Sequence, residues 1–483
     1  MRGLTGILKK CRTGLKAVRW SPHPGFTVLL FTGMLLAGRP GSAQNFTEID
    51  RNTYQLYLEK KWDELILAGK SAIKKDIDYY YLRLRIGIAF YEKKNYKSAQ
   101  LHFRKALDFN SGDPLAMEYL YYACLFGGQS QQAALLYKKM PESIREKVMA
   151  PGLKIIDRVS VEYLYNQTFT DNLLKDPTIF NGLPAGVQIV TRSFQNLNVS
   201  MQHFMHPGTS FIQAYTYLVK NSLYYYDDGL NRFETEGQQV RQQQYYLSPS
   251  FTFDGGLVIS PSFHYLHVAY QVPVLTGSGP GPGGGNEVVF REEYEGQMAG
   301  GLSLVKFHGP FSFRLGAVYS NLNRTQQLTG SAGLTWYPMG NLDLYLSAGL
   351  NVHNGDLAAR GDSVGSAGET GSGFAGTVLI PDLLLGWSIA SKLWIEVSGT
   401  YGQMKNFTER NGYLVYNGLD WVKYKAVANL VLPLTAKGSV FYAGARFAGY
   451  ENRFIPLDTT QPANLNSLTY NSISIFGGIS WKF

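Results

Sequence analysis

The sequence predicts a multidomain α-then-all-β protein: a small helical-repeat α-solenoid followed by an antiparallel transmembrane β-barrel of about 14 strands. Three observations predict it. The hydrophobic rhythm changes from helical to two-residue after about Met149–Gly152, the helical part repeats itself every 34 residues, and the connections in the second part alternate short and long.

The chain opens with a basic leader. Of 45 Lys and Arg, seven fall within residues 1–43, which hold no acid, leaving 38 against 36 Asp and Glu. The formal charge of +9 therefore belongs to the leader, and a nucleic-acid partner is not expected. The apolar run Gly25 to Gly38 is too short to span a bilayer as a helix, and small Gly41 and Ala43 follow it. Residues 1–43 read as a signal peptide cleaved near Ala43–Gln44. Cys11 lies in that leader and Cys124 alone in the mature chain, so no intramolecular disulfide is expected there.

Residues 46–148 are rich in Lys, Glu, Leu and Ala. At a spacing of 34, Gly87 aligns with Tyr121, Phe90 with Cys124, Ala99 with Ala133, Phe103 with Tyr137 and Ala106 with Met140. Small residues recur where paired helices approach closely, and large ones fill the space between turns. Gly87, Phe90, Ala99, Phe103, Ala106, Ala133 and Tyr137 are the expected packing residues. Their pattern resembles the tetratricopeptide repeat over about three copies, although Arg83 stands where that repeat usually has tryptophan. The resemblance implies a concave surface for a periplasmic protein partner, and Tyr79, Tyr80 and Tyr81 suit either that groove or a buried seam between repeats.

Residues 149–153 form a linker, and residues 154–483 the barrel. Ile473, Ile475, Gly477, Ile479, Trp481 and Phe483 alternate with Ser472, Ser474, Phe476, Gly478, Ser480 and Lys482, one face for lipid and one for water. Strands are expected near 157–169, 187–204, 209–225, 238–252, 257–271, 287–305, 311–320, 325–337, 342–352, 378–389, 392–403, 414–433, 438–451 and 468–483. Turns such as His206-Pro207-Gly208 and Asp254-Gly255-Gly256 follow even strands, and long polar segments such as 353–377 follow odd ones. Short turns of such barrels face the periplasm, and an even strand count returns both ends there, where a leading helical domain must also sit. The C-terminal Gly478-x-x-Trp481-x-Phe483 is similar to the signal read by the barrel-assembly machinery, although Phe476 replaces its usual polar residue.

By parity Arg158, Glu162, Arg314, Asp343, Glu396, Lys423, Lys425 and Arg446 face the lumen, either lining a passage for a polar substrate or bracing the wall as an ion-pair network. No residue pattern carries catalysis, so the chain reads as a non-enzyme without a cofactor. His203/His206 and His264/His267 lack metal-ligand geometry. Arg360-Gly361-Asp362 and the Gly-Pro run 277–285 read as loop.

The order of parts resembles two groups, the exopolysaccharide-export porins and the surface lipoprotein assembly modulators called Slam. That resemblance implies an outer-membrane translocation or secretion component for a polar polymer or protein client. The alternative is a non-transport anchor that scaffolds an envelope complex.

Overall fold

The computed structural model describes residues 41–148, 154–169, 182–227, 232–276, 287–355, 376–389, 392–434, 438–456 and 467–483. Most of the leader (1–40), the linker 149–153, the run 277–285 and Arg360-Gly361-Asp362 lie outside these residues.

Seven helices come first: α1 Gly41–Leu58, α2 Trp62–Lys74, α3 Tyr80–Glu92, α4 Tyr96–Phe109, α5 Pro114–Phe126, α6 Ser130–Lys139 and α7 Glu142–Arg145. Side-chain caps set two of their starts. Asn95 caps α4 by accepting from the Ser98 N–H at 3.1 Å, and Asp113 caps α5 by accepting from Ala116 at 2.7 Å, with Pro114 beginning the helix. From α1 to α6 each helix packs on the next. Ala99, Phe103, Ala106 and Ala133 are fully buried and Phe90 nearly so, while Tyr137 packs at the edge of this core. Gly87 is there because a Cβ would lie 2.6 Å from the Phe103 ring, so α3 and α4 approach across the missing side chain.

The second part is a closed antiparallel barrel of fourteen strands. They are β1 Ile156–Thr168, β2 Gly186–His206, β3 Thr209–Asp227, β4 Arg232–Thr252, β5 Leu257–Thr276, β6 Glu287–His308, β7 Phe311–Ser320, β8 Gln327–Trp336, β9 Leu344–Asn354, β10 Thr377–Ile389, β11 Leu393–Met404, β12 Trp421–Pro433, β13 Val440–Arg453 and β14 Ser467–Lys482. Each pairs with its neighbour in sequence, and β14 returns to β1 in the register Arg158↔Lys482 through Thr168↔Ser472. Closure leaves the main wall without a free edge. Outside, Leu350, Leu383, Trp387, Ile475 and Trp481 are exposed, while inside Asn166, Gln327, Ser472 and Ser474 are buried. An apolar outer face and a polar interior are what a bilayer requires of a barrel.

One strand differs from the sequence expectation. The segment 414–433 is not continuous: β12 begins at Trp421, and Leu414–Tyr416 belongs to a separate hairpin. A pleated apolar triplet reads the same in a wall strand and in a luminal hairpin, so its pattern could not separate them.

The helices sit against the short-turn rim. The Lys97 N–H donates to the Gly340 carbonyl at 2.8 Å, and its ammonium lies 3.9 Å from the centre of the Tyr337 ring. Gln131 bonds with Ser210 and Thr252, and Lys139 with Asp254. Leu101 lies under Gly309, and Leu342 under Gly128. The seam thus runs along the four turns that join β2 to β9.

Candidate functional site: a hairpin inside the barrel

Residues 405–420, between β11 and β12, fold inward. Phe407–Glu409 pairs with Leu414–Tyr416 in the register Phe407↔Tyr416, Thr408↔Val415 and Glu409↔Leu414. Arg410, Asn411 and Gly412 turn the chain with φ of 51°, 58° and 80°. Asn and Gly are suited to that left-handed run, as in the primed turns of tight hairpins.

The hairpin is fastened at three levels. At its tip, the Asn411 carbonyl accepts from Ser262 Oγ at 2.6 Å, and Asn411 Nδ2 donates to the Ser260 carbonyl at 2.9 Å. His264 Nδ1 meets the Gly412 carbonyl at 2.7 Å, and Tyr413 OH donates to Asn198 at 3.1 Å. Ser260 lies close to the start of β5 at the short-turn rim, so the tip penetrates most of the lumen.

Midway, Lys425 Nζ of β12 lies 2.5 Å from Glu409 Oε2 and 2.5 Å from Tyr416 OH. The two charged side chains are only 10% and 13% exposed, so each needs the other. Phe407 is fully buried, its ring edge-on to His353 at 5.3 Å.

Near the long-connection rim, carboxamides form a chain. Gln244 donates to Gln242 at 3.0 Å, Gln242 to Asn417 at 3.2 Å, Asn417 to Gln297 at 3.0 Å and Gln297 to Asn323 at 3.2 Å. Asn323 donates in turn to Asn406 at 2.7 Å. Both stems of the hairpin, through Asn406 and Asn417, are thereby tied to β4, β6 and the turn after β7. Asp420 adds a second tie, accepting from Asn452 at 2.8 Å and from Thr191.

The residues expected in the lumen take different places. Lys425 meets the hairpin rather than another wall residue, and Glu162 interacts with Tyr442 and lies in the field of Arg410. Glu396 accepts from Tyr345 and, at 3.3 Å, from Asn429. Arg158 donates to Ser480 at 3.1 Å near the short-turn rim, and Arg314 lies against Gly333 on the inner face. Arg446 stacks over Phe194 at 5.4 Å, with Nε and one terminal nitrogen lacking hydrogen-bond partners among the described residues.

Two residues depart from the expectation. Asp343 lies in the β8–β9 turn, bound to Asn341 at 2.8 Å, beneath the helices. Lys423 is the extra residue of a bulge between Val422 and Tyr424 and pairs with Glu451 at 2.5 Å. Glu451 shares the outward parity of Phe447, so the bulge turns Lys423 away from the lumen.

The C-terminal residues combine an outer and an inner role in geometry. Trp481 is exposed on the outer face, and the Phe483 N–H donates to the Asp157 carbonyl at 3.0 Å. Gly478 faces inward, where a Cβ would lie 2.6 Å from the Tyr442 ring, so Tyr442 crosses it toward Glu162. Phe476 lies over Gly444 in the same way.

The hairpin itself was the missed element. Its one local signal was Asn411-Gly412 ahead of the short apolar run Tyr413-Leu414-Val415-Tyr416. Among the described residues no group of three or more His, Cys, Asp or Glu side chains could hold a metal.

No protein-family model matches the sequence, and no curated protein matches it. Solved structures are similar in fold. A Pseudomonas aeruginosa FadL homologue gives a TM-score of 0.40 at 8% identity, over 68% of this chain and 90% of its own. The P. putida toluene transporter TodX gives 0.39 at 8% identity, over 75% of this chain and 94% of its own. The translocator domain of the Neisseria meningitidis autotransporter NalP gives 0.28 at 11% identity, over 75% and 100%. At that likeness they are other barrels, and nothing about cargo follows from them.

Proposed function

We propose that the chain is an outer-membrane translocation component whose barrel is held closed by the luminal hairpin. In this reading the helices on the short-turn rim face the periplasm and recruit the client or a partner, a polar polymer or a protein. The observation that carries the proposal is the way the hairpin is held. It crosses most of the lumen yet is attached to the wall largely by side-chain hydrogen bonds, each worth about 1 kcal/mol net. A device of that kind can be released without unfolding the wall, whose backbone ladders are continuous.

The test is a reversible tether. Ser262→Cys with Asn411→Cys places two thiols where the tip meets β5. In planar bilayers the reduced double variant should show channel openings, oxidation should abolish them, and reductant should restore them. A chain that serves only as an anchor, with its lumen permanently braced, would conduct in neither state, and that result would overturn the transport reading.

A further inference from the structure

Beside the hairpin's returning stem lies a cavity of about 330 Å3. Its floor is the inner face of β2 to β6, and Asn417 and Leu419 of the hairpin form one wall. Three kinds of chemistry meet there. Val240, Val268 and Leu419 give an apolar face. Gln238, Gln242 and Gln297 give carboxamide edges, each able both to donate and to accept. The third is the ammonium of Lys220, which lies beside Gly418 at the cavity margin.

Lys220 has no hydrogen bond or ion pair to any described residue; the charge of Asp420 acts on it without direct contact. Asp420 is held by Asn452 and Thr191, and Glu295 lies 3.7 Å from Arg324. No anion touches this ammonium at the edge of the part-apolar cavity, and a carboxylate bonded to it directly would complete the arrangement. The ligand that completes it carries a carboxylate for Lys220, hydroxyls for the carboxamides and a C–H face for the aliphatic wall.

We propose that this cavity binds a sugar acid, a hydroxylated ring bearing one carboxylate, with Lys220 as the residue that selects the charge. The assignment does not depend on the hairpin acting as a gate, since a barrel that never conducts could still bind. A free sugar acid and the terminal unit of an acidic polymer present the same chemistry.

Calorimetry on the folded, detergent-solubilised full chain tests it, with D-glucuronate, D-glucose, hexanoate and a glucuronate trimer as probes. Glucuronate should bind roughly 10- to 100-fold more tightly than glucose, the ratio expected of one charge-assisted hydrogen bond. Hexanoate, lacking hydroxyls, should bind more weakly than glucuronate. Lys220→Gln should remove the preference over glucose while the glucose affinity holds, and Lys220→Arg should retain it. A trimer that binds more tightly than the monomer identifies a polymer end, and equal binding identifies the free acid. Heat-modifiability in detergent verifies that each variant remains a closed barrel. Failure of glucuronate to bind, binding no tighter than glucose or hexanoate, or a preference that survives Lys220→Gln overturns the assignment. Conductance without glucuronate binding would leave the gate standing and remove this site alone.

Discussion

Asn417 on the hairpin's returning stem sits between two wall strands, accepting from Gln242 of β4 at 3.2 Å and donating to Gln297 of β6 at 3.0 Å. Neither partner carries a charge. Asn417→Ala removes both side-chain bonds, a loss of about 2 kcal/mol, or roughly 30-fold in the ratio of closed to open hairpin. Because the carboxamide chain is neutral, screening by salt has little purchase on it. Single-channel recordings should show a higher open probability in the variant, with nearly the same ratio to the parent at 0.1 M and 1 M KCl. A ratio that collapses with salt would mean that charge, not the amide chain, holds the stem.

The buried Lys425–Glu409 pair predicts a different pattern. Glu409→Ala strands an ammonium that is about 10% exposed, and breaking a buried pair in this way costs about 3–5 kcal/mol. Removing both charges with Lys425→Met and Glu409→Leu avoids that penalty. The single variant should therefore open the channel more than Asn417→Ala, and the double variant should close it again. Four open probabilities, arranged as a double-mutant cycle, measure the coupling.

These two fastenings mark the boundary of what the sequence reveals. A wall strand between lipid and water imposes a two-residue alternation along its whole length, and Leu344 through Asn351 or Ile473 through Lys482 carry it without help from distant residues. The helical packing is equally local, since Gly87 and Phe103 lie on the consecutive helices α3 and α4. The hairpin is not local. Whether Asn417 meets water outside or Gln297 inside depends on residues more than a hundred positions away, and a polar loop has the same composition in either place. Lys423 fails for a related reason: one bulged residue inverts the parity of its neighbour, and nothing in Val422-Lys423-Tyr424 announces it.

The seam between helices and barrel should depend on Gly340. This residue has φ of 66°, and a Cβ there would fall 1.7 Å from the Asn95 side-chain oxygen. Gly340→Val thus strains the turn and pushes away the start of α4, where the Lys97 N–H meets the Gly340 carbonyl. Gln131 and Ser210 bond across another part of the seam, so Gln131→Cys with Ser210→Cys reports its closure. Oxidative cross-linking should be efficient in the parent background and fall several-fold with Gly340→Val. Unchanged cross-linking would show that the seam does not rely on the β8–β9 turn.

His102 makes the helical part sensitive to acid. It is 8% exposed, stacked on Phe90 at 5.4 Å, with an Arg83 guanidinium nitrogen 3.4 Å from its Nδ1. Burial first, then the positive charges of Arg83 and Lys70, push its pKa down to about 4. The folded helices keep this imidazole neutral, while the unfolded chain takes up a proton near pH 6.5. Between those values the unfolded state binds more protons, so stability is complete above about pH 6.5 and falls as the pH drops toward 4. At pH 5 the loss is about 2 kcal/mol, roughly 10 °C in the midpoint of a helical unit of this size. Thermal melts followed at 222 nm should show the helical transition moving down by that amount from pH 7 to pH 5. His102→Gln, which cannot take up the proton, should flatten the dependence even if it lowers the midpoint at pH 7. An equal acid shift in the variant would assign the sensitivity to other groups.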